Sequence, residues 1–315
     1  MPGVRRAAIG TRVGRANALT VLLPLAWGGR TWLRFVFWLY RRRRGGDFLL
    51  LDRLRFVSAI RWSLVPPLDD DDRWWMLFES NFDGDWDEYL DSFGAVTGSA
   101  LRRLLWRCVG YPGLTSPALF KEYARIHDHR PEHYASAHPH LTASDIRQAL
   151  HAQHGDAAEA EIAREGYGRS KPSWSTFLLR LDDGAAGRAI RAARALPEDA
   201  LLGGGDVHFG RVAVVERPTG AWLLITLTHD GDAATVVRRI VANDVGGKLR
   251  ALLEHAADMP DASQGWWSDD RLTELLLLAR PTASRRSWVA YCAYAGRTVG
   301  EIAPLQPVRD RLPRR

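Results

Sequence analysis

From Thr20 onward the chain sets short apolar runs against longer amphipathic stretches, and it does so twice in the same order. Thr20 to Leu39 reads TVLLPLAWGGRTWLRFVFWL, and from Thr176 the chain reads TFLLRLDDGAAGRAIRAARAL. Both predict a strand, a glycine-containing turn and a helix. The echo continues: Ala59 to Val65 matches Phe209 to Val215, and Trp75 to Asp85 matches Trp222 to Asp232. A long amphipathic helix is expected after each, over about Trp86 to Cys108 and Ala233 to Ala256. Leu119 to Ile126 and Leu272 to Arg280 each read as a further strand. Each half then closes on a tail with capping-box spacing, Thr142 with Asp145 and Thr298 with Glu301.

Matched segments in one order indicate an internal duplication. Each half reads βαββαβ, the order of a ferredoxin-like unit. The expected fold is therefore α+β: two tandem ferredoxin-like halves whose antiparallel sheets pack as an α+β barrel. The boundaries expected are a basic arm over 1–16, a first half over 17–150, a linker over 151–173, a second half over 174–303 and a basic tail over 304–315.

Period-two alternation assigns the strand faces. Trp74, Met76, Phe78 and Ser80 share one face, matched by Ala221, Leu223, Ile225 and Leu227, and suit packing under helices. The opposite face carries Trp75, Leu77, Glu79 and Asn81, matched by Trp222, Leu224, Thr226 and Thr228. On the preceding strands Arg61 and Arg211 point the same way. Arg61, Trp75, Glu79, Asn81, Arg211, Trp222 and Thr226 are thus expected between the halves, where an aromatic-lined cavity with a few polar groups would bind a small molecule.

Composition changes this picture only slightly. The net charge is +6, carried almost wholly by arginine, and neither a zinc spacing nor an RNA-binding signature accompanies it, so no nucleic-acid partner is expected. Thirteen tryptophans suggest large aromatic contact surfaces. Two cysteines, Cys108 and Cys292, make no disulfide framework, and a cytoplasmic setting is expected. The run before Arg41 has membrane-span length, but Pro24, Gly28, Gly29, Arg30 and Arg34 interrupt it, and its polar echo reads as strand plus helix. No small-residue cleavage site follows it, as a secretory signal would require. The segment Trp32–Tyr40 is apolar on more than one face and precedes Arg41 to Arg44. That pattern suits burial, a partner protein or peripheral membrane attachment.

The runs ALTVLLPL…LRFV, IRW, LFESNFDGDWDEYLDSF and WRCVGYPG (Trp106 to Gly113) resemble a family of uncharacterised bacterial proteins of the dimeric α+β-barrel superfamily, distantly similar to dye-decolorising peroxidases. The resemblance implies the fold and leaves activity open between oxidoreductase-like enzymes and non-catalytic modules. The peroxidases carry a GxxDG motif. Ser80-Asn81-Phe82-Asp83-Gly84 is the nearest match here, lacks the first glycine and follows the third strand. Haem would then call on His208 or His229 as axial ligand.

Other candidates have structural alternatives. Asp83-Gly84-Asp85 and Asp230-Gly231-Asp232 each precede a helix, so helix capping explains both copies. His127 and His129 would share a strand face and make two metal ligands, within a histidine-rich stretch that also reads as a solvated loop. Arg61 and Arg211 suit either an anion clamp or a salt bridge from Arg61 to Glu79 that holds the halves together. No nucleophile elbow, P-loop or dinucleotide fingerprint is present. Three functional readings follow: a small-molecule-binding barrel of oxidoreductase-like type, a haem-dependent peroxidase-like enzyme, and a non-catalytic interaction or scaffold protein.

Overall fold

The structure is a computed structural model. It describes residues 11–13, 16–42, 51, 53–68, 72–154, 172–257, 259, 268–281, 287–294 and 297–305. The 1–10 part of the basic arm, most of the 151–173 linker and the 306–315 part of the tail lie outside them.

The first half runs β1 (Thr11–Val13), β2 (Ala16–Pro24), α1 (Gly29–Arg42), β3 (Val57–Val65), β4 (Trp75–Asp83), α2 (Trp86–Leu105), α3 (Pro117–Ile126), β5 (His133–Ser136) and α4 (Ala143–His154). The second runs β6 (Ser173–Arg180), α5 (Ala186–Arg194), β7 (Val207–Arg217), β8 (Gly220–His229), α6 (Ala233–Ala242), α7 (Lys248–Leu253), α8 (Asp269–Leu278), β9 (Trp288–Cys292) and α9 (Val299–Ile302). One sheet has the order β1-β2-β4-β3-β9 and the other β5-β7-β8-β6, with antiparallel pairing throughout.

The two closing strands are exchanged. β5 belongs in sequence to the first half yet pairs with β7, setting Tyr134 opposite Arg211. β9 belongs to the second half yet pairs with β3, setting Ala290 opposite Arg61. Each sheet is therefore completed by the other half.

This corrects the two expected strands. Leu119–Ile126 lies in α3, which opens on Pro117 and is capped by Ser116. Phe120, Tyr123 and Ala124 bury its inward face at helical spacing. Leu272–Arg280 falls mostly in α8, capped by Ser268 and burying Leu272, Thr273 and Leu276. The slots beside β2 and β6 each hold, among the described residues, a short extended piece. His127 O accepts from Leu22 N at 3.1 Å and His129 N donates to Thr20 O at 2.7 Å, while Ala279 O accepts from Leu178 N at 3.0 Å. The expected long helix after Asp232 is also broken, because Gly246 and Gly247 both adopt φ +66° between α6 and α7.

The expected strand faces hold. Ile60, Trp62, Leu64, Met76, Phe78 and Phe82 pack beneath the helices of the first half. Val212, Val214, Leu223, Ile225 and Leu227 do so in the second. Between the sheets, Leu22, Val65, Leu68, Trp75, Leu77, Ala213, Val215 and Leu224 form a separate apolar cluster. Gly210 has no side chain for a packing reason: a Cβ there would lie 2.6 Å from Leu201 Cβ.

The repeated Asp-Gly-Asp has two capping duties. Asp85 accepts from the N–H groups of Asp87 and Glu88 at the start of α2, and Asp232 from those of Ala234 and Thr235 at the start of α6. The first aspartate of each motif caps the helix that follows an exchanged strand. Asp83 accepts from Ala143 N at 2.8 Å, and Asp230 from Val299 N at 2.8 Å. Gly84 and Gly231, at φ +94° and +69°, turn the chain between the two duties.

Candidate functional site

The surface shared by the sheets is apolar at one end and polar in its middle. Adjacent antiparallel strands set Arg61 directly opposite Glu79 and Arg211 opposite Thr226. Arg61, Glu79, Arg211 and Thr226 are each no more than 3% exposed. Arg61 Nε donates to Glu79 Oε2 at 2.7 Å and its Nη2 makes a second, shorter bond to the same oxygen. Arg61 Nη2 also reaches Thr176 Oγ1 of the other sheet at 2.7 Å. Thr226 donates its hydroxyl to Glu79 Oε1, and Arg211 Nε stands 3.7 Å from that oxygen. One carboxylate thus lies between two guanidiniums contributed by opposite sheets.

Arg211 is otherwise held by neutral acceptors. Its Nη1 donates to Leu19 O and Thr20 Oγ1, both at 2.9 Å, and its Nη2 to Asn81 Oδ1 at 2.5 Å. Tyr134, on exchanged β5, donates to the same Asn81 oxygen at 3.1 Å. Burial alone would raise the Glu79 pKa, but the charges of Arg61 and Arg211 and the bonds from Thr226 and Arg61 outweigh it and hold the carboxyl below its usual range. Burial lowers the Arg61 pKa, yet a guanidinium stays charged at any ordinary pH. The salt bridge between Arg61 and Glu79 is therefore present, and Asp128, a second buried carboxylate, lies within electrostatic reach of Arg211.

Beside Arg61 is a small void of about 30 Å³ lined by Arg61, Ser63, Trp174, Thr176, Arg280 and Trp288, among others. The Arg61 guanidinium lies 5.3 Å from the centre of the Trp174 ring. The described lining includes no carboxylate. Of the residues expected between the halves, Trp75 and Trp222 instead belong to the apolar cluster, which meets the void at Val65. Glu79, Asn81, Arg211 and Thr226 bond to one another, to Arg61, Thr20 and Tyr134 or to backbone, and do not line this void; Arg61 alone of the expected set does.

Sequence reasoning missed Trp174, Thr176 and Arg280. Trp174 and Thr176 sit on β6, and only Thr176 fell in the recognised echo. Arg280 was taken as the end of a strand. Asp128 was also missed: burial raises its pKa to about 6, while Thr20 N donates to it at 3.3 Å.

The histidines lie elsewhere. His127 caps the C-terminus of α3, and His129 follows it beside β2. They do not share a face of a regular strand, and no group of three or more His, Cys, Asp or Glu placed to hold a metal occurs among the described residues. His208 Nε2 is 3.1 Å from Asp230 Oδ1, and His229 Nε2 is 2.9 Å from Ser175 Oγ. Burial pushes the His229 pKa down to about 4, and that of neighbouring His138 likewise. Neither His208 nor His229 lines the void beside Arg61, which is far too small for a haem macrocycle. These residues do not fit axial ligation, and no step is assigned to haem.

No protein-family model matches the chain. No curated protein matches it in sequence. Among solved structures it is similar to a protein of Fusobacterium nucleatum described as a "putative monooxygenase", with 6% identity over 78% of this chain and 88% of that one and a TM-score of 0.35. A second "putative monooxygenase", from Lactobacillus acidophilus, is 9% identical over 77% of this chain and 88% of that one, with a TM-score of 0.30. An anthrone oxidase-like protein is 10% identical over 93% and 97% of the two chains, with a TM-score of 0.25. None of the three is a dye-decolorising peroxidase. Likeness this distant carries no functional argument, and the α+β assignment stands on the sheet topology itself.

Proposed function

We infer that this protein binds a small, flat anion, with the acidic group of the ligand in the void beside Arg61. One observation carries the reading: two guanidiniums, Arg61 and Arg280, line the void with no carboxylate in its described lining. A third, Arg211, shares Glu79 with Arg61. A half-buried guanidinium such as Arg280, beside a void whose described lining holds no carboxylate, favours an anion, and the planar fork of arginine suits a carboxylate. The void has room for an acidic group rather than a whole ligand, so the rest of the molecule would lie across the mouth against Trp174 and Trp288.

An oxidoreductase-like reaction is the finer reading and draws on the sequence resemblance. The groups around the void are guanidinium, hydroxyl and indole, which bind and orient an anion. A redox step would use equivalents brought by the ligand or a co-substrate.

The test is thermal denaturation with a panel of aromatic carboxylates, each beside its uncharged amide. At about a hundred times its Kd, a bound carboxylate should stabilise the protein by about 2.7 kcal/mol. The amide should do little, and Arg280→Ala should remove most of the response. Equal stabilisation by acid and amide, or an unchanged response in Arg280→Ala, would overturn the reading.

A further inference from the structure

We propose that an aromatic platform formed by α1 and the end of α2 docks this protein on an anionic lipid surface. Trp27, in the turn before α1, is 96% exposed, and Phe35, Trp38 and Trp106 are 49%, 38% and 48% exposed. They form one patch rather than scattered side chains. Half-buried Trp32 meets Trp106 edge-on at 5.4 Å and Phe35 at 6.0 Å, and Phe35 stacks on Trp38 at 5.9 Å. Trp27 shares a groove with Trp32 and Phe35.

Backbone bonds fix this surface in place. Ala26 N donates to Arg107 O at 2.9 Å, and Trp32 Nε1 donates to Arg103 O at 2.8 Å. The rings are therefore presented by a preformed joint between two helices. Contiguous exposed aromatic surface of this kind marks an interaction site.

Charge selects the occupant. The chain has no acidic residue before Asp47 and none from Ser92 to Lys121, the segments that build the platform. Arg30, Arg34 and Arg107 line its grooves and Arg42 covers Trp38, while Arg30 also stacks on Trp74, two residues after Asp72. Arg42 lies 5.4 Å from the Trp38 ring centre and Arg107 lies 4.1 Å from that of Trp106. Indole rings with interleaved guanidiniums match the boundary between acyl chains and anionic headgroups. A second copy of the same platform would bring arginine against arginine, which disfavours self-association through it. No helix among the described residues is long and apolar enough to cross a membrane, so the contact is peripheral.

The test is flotation of the full chain with vesicles of phosphatidylcholine alone and of phosphatidylcholine with about a third phosphatidylglycerol. Binding is expected to the anionic vesicles, weakened by salt and much weaker to the neutral ones. Arg34→Gln should lower partitioning about fivefold, the contribution of one arginine near a charged surface. Trp27→Ser with Phe35→Ser should lower it at least tenfold while circular dichroism and the melting temperature stay near those of the parent, because both side chains are exposed. Absence of binding to anionic vesicles would overturn the proposal, as would equal binding to neutral ones. A concentration-dependent dimer abolished by the same variants would assign the platform to a second copy and overturn it too.

Discussion

Replacing Glu79 by glutamine probes the centre of the molecule with one atom exchanged. The carboxylate accepts two bonds from Arg61, accepts the Thr226 hydroxyl and lies 3.7 Å from Arg211. Glutamine keeps the shape but removes the charge and turns an amide N–H₂ toward a guanidinium. Arg61 then lacks its counter-ion, and Arg211 keeps only the charge of Asp128. Breaking a buried pair in this way costs about 3–5 kcal/mol. With unfolding entropy proportional to chain length, each kcal/mol lowers the melting temperature of a chain this size by about 2 °C. Glu79→Gln should therefore melt roughly 5–10 °C below the parent. Arg61→Met with Glu79→Leu should cost less than the single change, since one buried guanidinium, Arg211, rather than two then loses Glu79. The pH dependence adds a second readout. Because the folded pKa of Glu79 lies below that of an ordinary glutamate, its contribution is present above the ordinary value and is lost as pH falls through the folded one. The gap between parent and variant should close in that acid range. A Glu79→Gln protein within about 1 kcal/mol of the parent at neutral pH would refute the assignment of this pair as the joint between the sheets.

Two further outcomes follow. Burial lowers the pKa values of His138 and His229 to about 4, so the unfolded chain binds more protons between about pH 6.5 and 4. Stability should fall as pH drops from about 6.5 to 4, and replacing His138 by Leu should flatten the melting-temperature profile there; an unchanged profile would contradict this. The exchange of β5 and β9 predicts that chains 1–165 and 166–315 will not fold when produced separately but will associate when co-produced; two independently folded halves would count against the exchanged strands.

How much could be read beforehand differs between local and long-range features. Period-two alternation placed Met76, Phe78, Leu223 and Ile225 under helices, and it set Arg61, Glu79, Arg211 and Thr226 between the sheets, because strand geometry fixes which face a side chain takes. The strands expected over Leu119 to Ile126 and Leu272 to Arg280 are helices α3 and α8. Ser116-Pro117 and Ser268 were available as start signals, and Phe120, Tyr123 and Ala124 as helical spacing. The exchange could not be read, since a strand of four or five residues carries no local mark of the edge it joins. Arg280 and Trp174 meet only through that tertiary arrangement, so the void they share was equally out of reach. The aspartates of the repeated motif were legible as caps of α2 and α6. Their partners Ala143 and Val299 lie 60 and 69 residues away and were not.

The central claim, that guanidinium beside the void at the joint of the two halves recruits an anion, is tested most directly by calorimetric titration of wild type and Arg280→Ala with the most strongly stabilising aromatic carboxylate of the panel. The predicted result is one site per chain in the wild type and at least about tenfold weaker binding in the variant, a change of about 1.4 kcal/mol. Equal affinity in the two proteins would contradict it.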